Sequence, residues 1–232
     1  MNYVVSDLHG YPLERLKKAL SVAGFSESDR LYVLGDCIDR GYDGLNIIRY
    51  IMTKPNITLI QGNHEAMLLE NRTLFDGDRI PSASDLVGER RRAYSIWVSN
   101  GGYSTMDAMQ QYTHAQIKYI LEFLDKAPLY KEIEAGGKTY ILTHSGLGNF
   151  REDKPLCDYT PHELLWTRPP LDTRYYEDGR IVIFGHSPTV MYGDEYRGRP
   201  IITDTWIDID TGASKGLSPL LLRLEDMKKF YF

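Results

Sequence analysis

Leu31-Tyr32-Val33-Leu34-Gly35-Asp36-Cys37-Ile38-Asp39-Arg40-Gly41 is the stretch on which the reading of this chain turns. Its apolar first half predicts a buried strand over residues 31 to 35. Its second half places two carboxylates and a guanidinium at the mouth of that strand. One carboxylate can bridge two cations through its two oxygens, the next can orient a base, and the arginine can grip an anion with its planar fork.

The same plan is repeated on either side. Tyr3-Val4-Val5-Ser6 reads as a short strand delivering Asp7 and His9 to its carboxyl end. Pro12 then opens a helix with Leu13, Leu16 and Leu20 on one face and Gly24 as its stop. Beyond Arg40, a helix around residues 45 to 52 leads into the strand 57 to 60, which ends at Asn63 and His64. Strand, ligand and helix thus recur three times within 65 residues. Ligands outside the carboxyl ends of such strands are the general expectation for sheets with βαβ crossovers.

From about 66 to 127 the texture changes to polar, helical sequence, broken by Asp76-Gly77-Asp78 and Asn100-Gly101-Gly102. It reads as a helical insert over one side of the site, within a single domain spanning 1 to 232. The run Glu89-Arg90-Arg91-Arg92 inside it could meet an anionic substrate, but a solvated helix face is the preferred reading. After Pro128 the chain turns β-rich. Residues 129 to 134 and 138 to 143 flank Gly136-Gly137, a hairpin signal, and the second arm ends at His144. The run 181 to 185 is a buried strand ending at His186, and 201 to 203, 206 to 210 and 220 to 224 look like closing strands.

Composition narrows the class. A chain of 232 residues with 42% apolar and 25% charged side chains can bury a proper core. A net charge of −5 argues against a nucleic-acid partner held by electrostatics. No apolar run approaches the roughly 20 residues that span a bilayer, so no membrane association is expected. With a first motif already at Asp7, no cleaved leader is expected. Two cysteines, Cys37 and Cys157, make no disulfide framework and suit a reducing compartment, so the expected location is the cytoplasm.

Any single histidine would more often be structural than a ligand. Four at strand ends, together with Asp7, Asp36 and Asn63, form a mixed nitrogen and oxygen set suited to borderline and hard divalent cations. Two such cations, roughly 3.5 to 4 Å apart, clamp a phosphoryl group, deprotonate a shared water and stabilise charge during in-line displacement. His64 need not be a ligand because its neighbour is one. Paired with Asp39 it makes a better general acid, since a carboxylate fixes the tautomer and favours the charged imidazole.

Taken in order, Asp7-x-His9, Gly35-Asp36-x-x-Asp39-Arg40-Gly41, Gly62-Asn63-His64-Glu65, His144 and Gly185-His186 resemble the metallophosphoesterase signature of the phosphoprotein phosphatase superfamily, the calcineurin-like phosphoesterases. The likeness is greatest to small prokaryotic and phage (lambda-type) serine/threonine phosphatases. Leu165-Trp166-Thr167-Arg168, Phe184 to Pro188 and Ile209-Asp210-Thr211-Gly212-Ala213 resemble that subgroup too. The likeness covers nearly the whole chain and is weakest in the insert.

The resemblance implies an α/β fold, a four-layer α/β/β/α sandwich of two mixed sheets flanked by helices. It implies one metal on Asp7, His9 and bridging Asp36, and another on Asp36, Asn63, His144 and His186. Manganese is the first choice, with iron, zinc, cobalt or nickel as alternatives. His64 and Asp39 match the family's acid pair; Arg40, Arg168 and Asn63 match its phosphate contacts. The expected activity is hydrolysis of phosphomonoesters on phosphorylated proteins, phosphoserine or phosphothreonine and then phosphotyrosine, by direct attack of a shared water or hydroxide. A monomer is favoured.

There are departures. Gln61 stands where many relatives have arginine, and Ser145 follows His144 where alanine is common. Cys37 reads as a small buried filler. The same-class rival is a dinucleoside polyphosphate hydrolase. Asp39 and Glu65 argue against it, because that branch often lacks the equivalent of Asp39 and ends its block Asn-His-Asp. A non-catalytic binding module on the same fold would be expected to have lost ligands, and none is lost here.

Overall fold

The computed structural model describes residues 1 to 77 and 80 to 232; Asp78, part of the expected break in the insert, lies outside the described residues. The chain opens with β1 (Asn2–Val5), α1 (Leu13–Ala23), β2 (Arg30–Val33), α2 (Gly44–Met52) and β3 (Ile57–Leu59). The three strands are parallel, with Val5 beside Val33 and Val33 beside Leu59. Helix α1 starts after Pro12 and stops at Gly24, which takes the left-handed conformation (φ 74°) that a side chain would resist.

The insert is helical: α3 (Asn63–Glu70), α4 (Gly88–Ser99), α5 (Tyr103–Met109) and α6 (His114–Asp125), with 3-10 turns at Arg72–Phe75 and Ala83–Asp85. It begins three residues earlier than the change in texture suggested, so Asn63 and His64 sit in the first turn of α3. Trp97, Met106, Met109, Ile117 and Leu124 join Ile47, Ile48 and Ile51 in one core against the outer face of the first sheet. Arg90, Arg91 and Arg92 are exposed.

The second sheet follows, from β4 (Tyr130–Ala135), β5 (Lys138–Thr143), β6 (Ile181–Phe184), β7 (Ile201–Ile202) and β8 (Trp206–Asp208), with α7 (Pro161–Leu165) between β5 and β6. Strands β4 and β5 form a hairpin through Gly136 and Gly137, both at positive φ (56° and 75°), as a two-residue I′ turn requires. Strands β5, β6 and β8 are parallel. The chain then returns to the first sheet with β9 (Leu220–Arg223) and β10 (Lys228–Tyr231), antiparallel additions beside β1. Among the described residues the strand orders are β10-β9-β1-β2-β3 and β4-β5-β6-β8-β7.

Period-two alternation divides each strand between two cores. Val4, Tyr32, Leu34, Leu142, Ile183, Ile207 and Leu222 meet between the sheets. Tyr3, Val5 and Val33 face the helices instead, while Ile141, Val182 and Phe184 face the other way. The layers are therefore helices, mixed sheet, mixed sheet, and a thinner cover of α7, 3-10 turns and loops. Both sheets send the carboxyl ends of their parallel strands to the same edge of the sandwich. Among the described residues no helix is long and apolar enough to cross a membrane.

Candidate dinuclear metal centre

At that edge the motif residues converge. Asp36 lies in the middle, with Oδ2 3.5 Å from Nε2 of His9 and Oδ1 3.5 Å from Nε2 of His144. On the first side, Oδ1 of Asp7 is 3.9 Å from His9 Nε2. On the second, Oδ1 of Asn63 is 2.8 Å from His144 Nε2 and 2.9 Å from His186 Nδ1, and the two ring nitrogens are 3.2 Å apart. The six residues expected to hold metal thus form two donor groups that share Asp36.

The backbone reaches this arrangement through conformations that L-residues avoid. Asp7, His9, Asp36, Asp39, Arg40 and His186 account for six of the eight non-glycine residues at positive φ among the described residues. Such strain persists where surrounding contacts over-determine it. Here the loop after β1 is tied to the loop after β2, with the amides of His9 and Gly10 donating to the carbonyls of Asp36 and Cys37. Buried Glu65 accepts from the amides of Asp36, Cys37 and Gly62 at 2.8 to 3.0 Å. The two sheets are tied together at the site by the His186 amide donating to Asp7 Oδ2. A Cβ at Gly185 would collide with that carboxylate, so the position must be bare.

Hydrogen bonding decides which ring nitrogens face the centre. Nδ1 of His144 lies 2.8 Å from the Leu34 carbonyl, and Nδ1 of His9 lies 3.2 Å from the Ile38 carbonyl. Both Nδ1 atoms must carry the proton, so both Nε2 lone pairs point inward. Burial lowers the pKa of His9 and His186 and takes His144 down to about 3. The imidazoles are therefore neutral at pH 7, and their short distances to carboxylates are not ion pairs. Burial raises Asp7 and Asp36, helped by the charge of Asp210 on Asp7 and of Asp7 on Asp36. Oδ1 of Asp7 and Nε2 of His186 are buried without a hydrogen-bond partner. Inward lone pairs, crowded carboxylates and an orphaned carboxylate oxygen are the complement of bound dications, so the residues fit a two-metal centre.

His64 stands beside this set. Its Nδ1 is 2.6 Å from Oδ2 of Asp39, while its Nε2 is 3.7 Å from Oδ2 of Asp36. Distance alone would admit it to a group with His9 and Asp36, but its Nδ1 is taken by Asp39. The Arg40 fork spans both rings, with Nη1 2.9 Å from His9 Nε2 and Nη2 3.1 Å from His64 Nε2. It stands where a cation on His9 and a substrate oxygen beside His64 would have to sit. Arg168 is exposed, and its charge helps to lower both His144 and His186. The side-chain amide of Gln61 donates to the carbonyl of Leu124 at the end of α6 (3.2 Å), so it serves the scaffold and not the phosphate pocket.

Several residues escaped the sequence reading. Glu65 was visible as part of a block, yet its role as a staple across two loops was not. Trp97 and Thr105, from the insert, both donate to the Asp39 carboxylate. Asp208 and Asp210 lie buried, close enough for the charge of Asp210 to raise Asp7, and burial pushes Asp210 up to about 7. Asp210 was visible as part of the Ile209-Asp210-Thr211-Gly212-Ala213 block, while the legible signal for Asp208 was only the run of acids at the end of a predicted strand. Cys37 is fully buried, and burial raises its thiol well above the ordinary range, which suits a filler.

The family model of the calcineurin-like phosphoesterases matches residues 3 to 190. This chain belongs to that family. The family is dinuclear and metal-dependent, in keeping with the two donor groups around Asp36. This phosphoesterase is 31% identical over 175 residues to serine/threonine-protein phosphatase 2 of Salmonella typhimurium, an alignment covering 73% of this chain and 68% of that protein. It is 29% identical over 202 residues to the symmetrical bis(5'-nucleosyl)-tetraphosphatase of Acidovorax sp. strain JS42, covering 84% of this chain and 60% of that protein. A crystal structure provisionally described as a diadenosine tetraphosphatase superimposes with a TM-score of 0.64 at 17% identity, over 100% of this chain and 92% of that one. That last likeness is one of fold.

Proposed function

We propose that this phosphoesterase hydrolyses phosphomonoesters on phosphorylated proteins, phosphoserine and phosphothreonine first and phosphotyrosine second. The observation that carries the reading is the 2.6 Å contact between His64 Nδ1 and Asp39 Oδ2. A serine or threonine alkoxide is a poor leaving group and has to be protonated as it departs. The leaving group in symmetrical cleavage of a dinucleoside tetraphosphate is a phosphate oxygen, whose pKa of about 6 lets it depart as an anion. An oriented acid is thus needed for the first reaction and dispensable for the second. The likeness to a serine/threonine-protein phosphatase points the same way.

On this reading Asp7, His9 and Asp36 would hold one cation, and Asp36, Asn63, His144 and His186 would hold the other. Two bound divalent cations supply a nucleophile from water at neutral pH and neutralise phosphoryl charge. The chain's own groups do the rest. The carboxylate of Asp39 keeps the His64 ring turned so that Nε2 faces the site. Arg40 and Arg168 grip the phosphate oxygens, and Asn63 adds a neutral contact.

The rival reading, a dinucleoside polyphosphate hydrolase, rests on the tetraphosphatase relatives. The deciding measurement is kcat/KM for a phosphothreonine peptide and for diadenosine tetraphosphate, under one manganese condition. The peptide is expected to win. A preference for the dinucleotide of more than about tenfold, near 1.4 kcal/mol in the transition state, would establish the rival.

A further inference from the structure

Beyond α3, the insert touches the site at Asp39 and at Arg40. The Asp39 carboxylate is fully buried and takes hydrogen bonds from three side chains. Thr105 Oγ1 donates to Oδ1 at 2.6 Å, Trp97 Nε1 donates to Oδ2 at 2.9 Å, and His64 Nδ1 donates to Oδ2 at 2.6 Å. The Asp39 amide in turn donates to Thr105 Oγ1 at 2.9 Å, which fixes the direction of the hydroxyl proton towards the carboxylate. The next residue is held by the same segment: the Arg40 amide donates to the Gly101 carbonyl at 3.0 Å, and its Nε to the Asn100 carbonyl. Asp39 and Arg40 both sit at positive φ (67° and 68°), a pair of strained conformations that needs an external brace.

We propose that Trp97 and Thr105 are positioning residues for proton delivery: the 97–105 segment of the insert aims His64 by clamping Asp39. A buried carboxylate would be satisfied by any donors, and satisfaction alone would make these two residues ordinary core. What distinguishes them is that they leave the carboxylate no free rotation. With Oδ1 held by Thr105 and Oδ2 by Trp97, the lone pair left for His64 Nδ1 has one direction, and the ring follows it. Held so, the protonated ring presents Nε2–H to the ester oxygen. As the P–O bond breaks, its electron pair goes to that oxygen, which takes the Nε2 proton, while the attacking water forms the new P–O bond. One water proton stays on the product phosphate, the other is released, and the proton on His64 Nε2 is replaced.

Loss of the clamp should therefore be felt in proportion to how much the leaving group needs a proton. This rests on the phosphomonoester reading, and the test separates the two. The variants are Thr105→Val, Thr105→Ser and Trp97→Phe in the full chain, loaded with manganese for kinetics and with zinc for NMR. Thr105→Val is expected to lower kcat on a phosphothreonine peptide roughly tenfold more than on p-nitrophenyl phosphate, whose leaving group needs no acid. KM and metal content should hold, Thr105→Ser should restore the peptide rate, and Trp97→Phe should share the leaving-group bias. In the NMR spectrum, the downfield His64 Nδ1–H resonance should broaden or move in Thr105→Val and return in Thr105→Ser. Equal losses on both esters, or a resonance unchanged by Thr105→Val, would overturn the proposal. If the wild type hydrolyses neither ester, the phosphomonoester reading fails, and the His64 resonance still decides the clamp.

Discussion

Nε2 of His144 and Oδ1 of Asn63 face each other at 2.8 Å as two lone pairs, because Nδ1 of the same ring donates its proton to the Leu34 carbonyl. Two acceptors that close are stable together with a cation between them. Metal analysis of the purified protein is expected to find close to two equivalents. Asp36→Asn, which alters the group facing both His9 and His144, should lose both metals and the activity. Full activity in metal-free protein would sink the two-metal reading.

His64 and Asp39 should behave as one unit. His64→Asn is expected to lower kcat by roughly 10² to 10⁴ while the metal content holds. Adding Asp39→Asn should cost little more, because members of one catalytic unit are non-additive. Loss of a metal equivalent in His64→Asn would instead make His64 a ligand, a role its 3.7 Å approach to Asp36 permits.

Arg40 spans His9 and His64 with the two nitrogens of its fork. Lysine carries the charge without that geometry. If the fork grips the transferring phosphate, Arg40→Lys should lower kcat more than it raises KM. Steady-state kinetics on a phosphopeptide decide it; a pure KM effect would mean that Arg40 only gathers substrate.

Glu163 offers a pH test away from the metals. It accepts from the Thr160 amide at the start of α7, from Asn149 and from Lys154, and these hold its carboxyl down at about 2. A depressed acid contributes stability that is present above the ordinary value of 4.5 and lost as pH falls towards 2. Glu163→Gln should therefore lower Tm at pH 7, and the gap to wild type should close between pH 4.5 and pH 2. A gap of constant size across that range, measured by scanning fluorimetry, would contradict the assignment.

Much of this protein is local, and the local part was legible. Strands with ligands at their carboxyl ends, a Pro12 start, a Gly24 stop and the Gly136-Gly137 hairpin are all matters of neighbours along the chain, where periodicity and turn chemistry act directly. Strand β10 escaped, because Lys228-Lys229-Phe230-Tyr231 is an edge strand with little apolar alternation. The candidate ligand set could be proposed from motifs because each of its residues follows a strand end. What the sequence could not say is which atoms meet. The inward lone pairs of His9 and His144 depend on carbonyls 29 and 110 residues away, and the clamp on Asp39 on donors 58 and 66 residues away. Such partners carry no spacing signal. They are chosen when two sheets and a helical insert pack and leave a buried carboxylate that must find its donors within the fold.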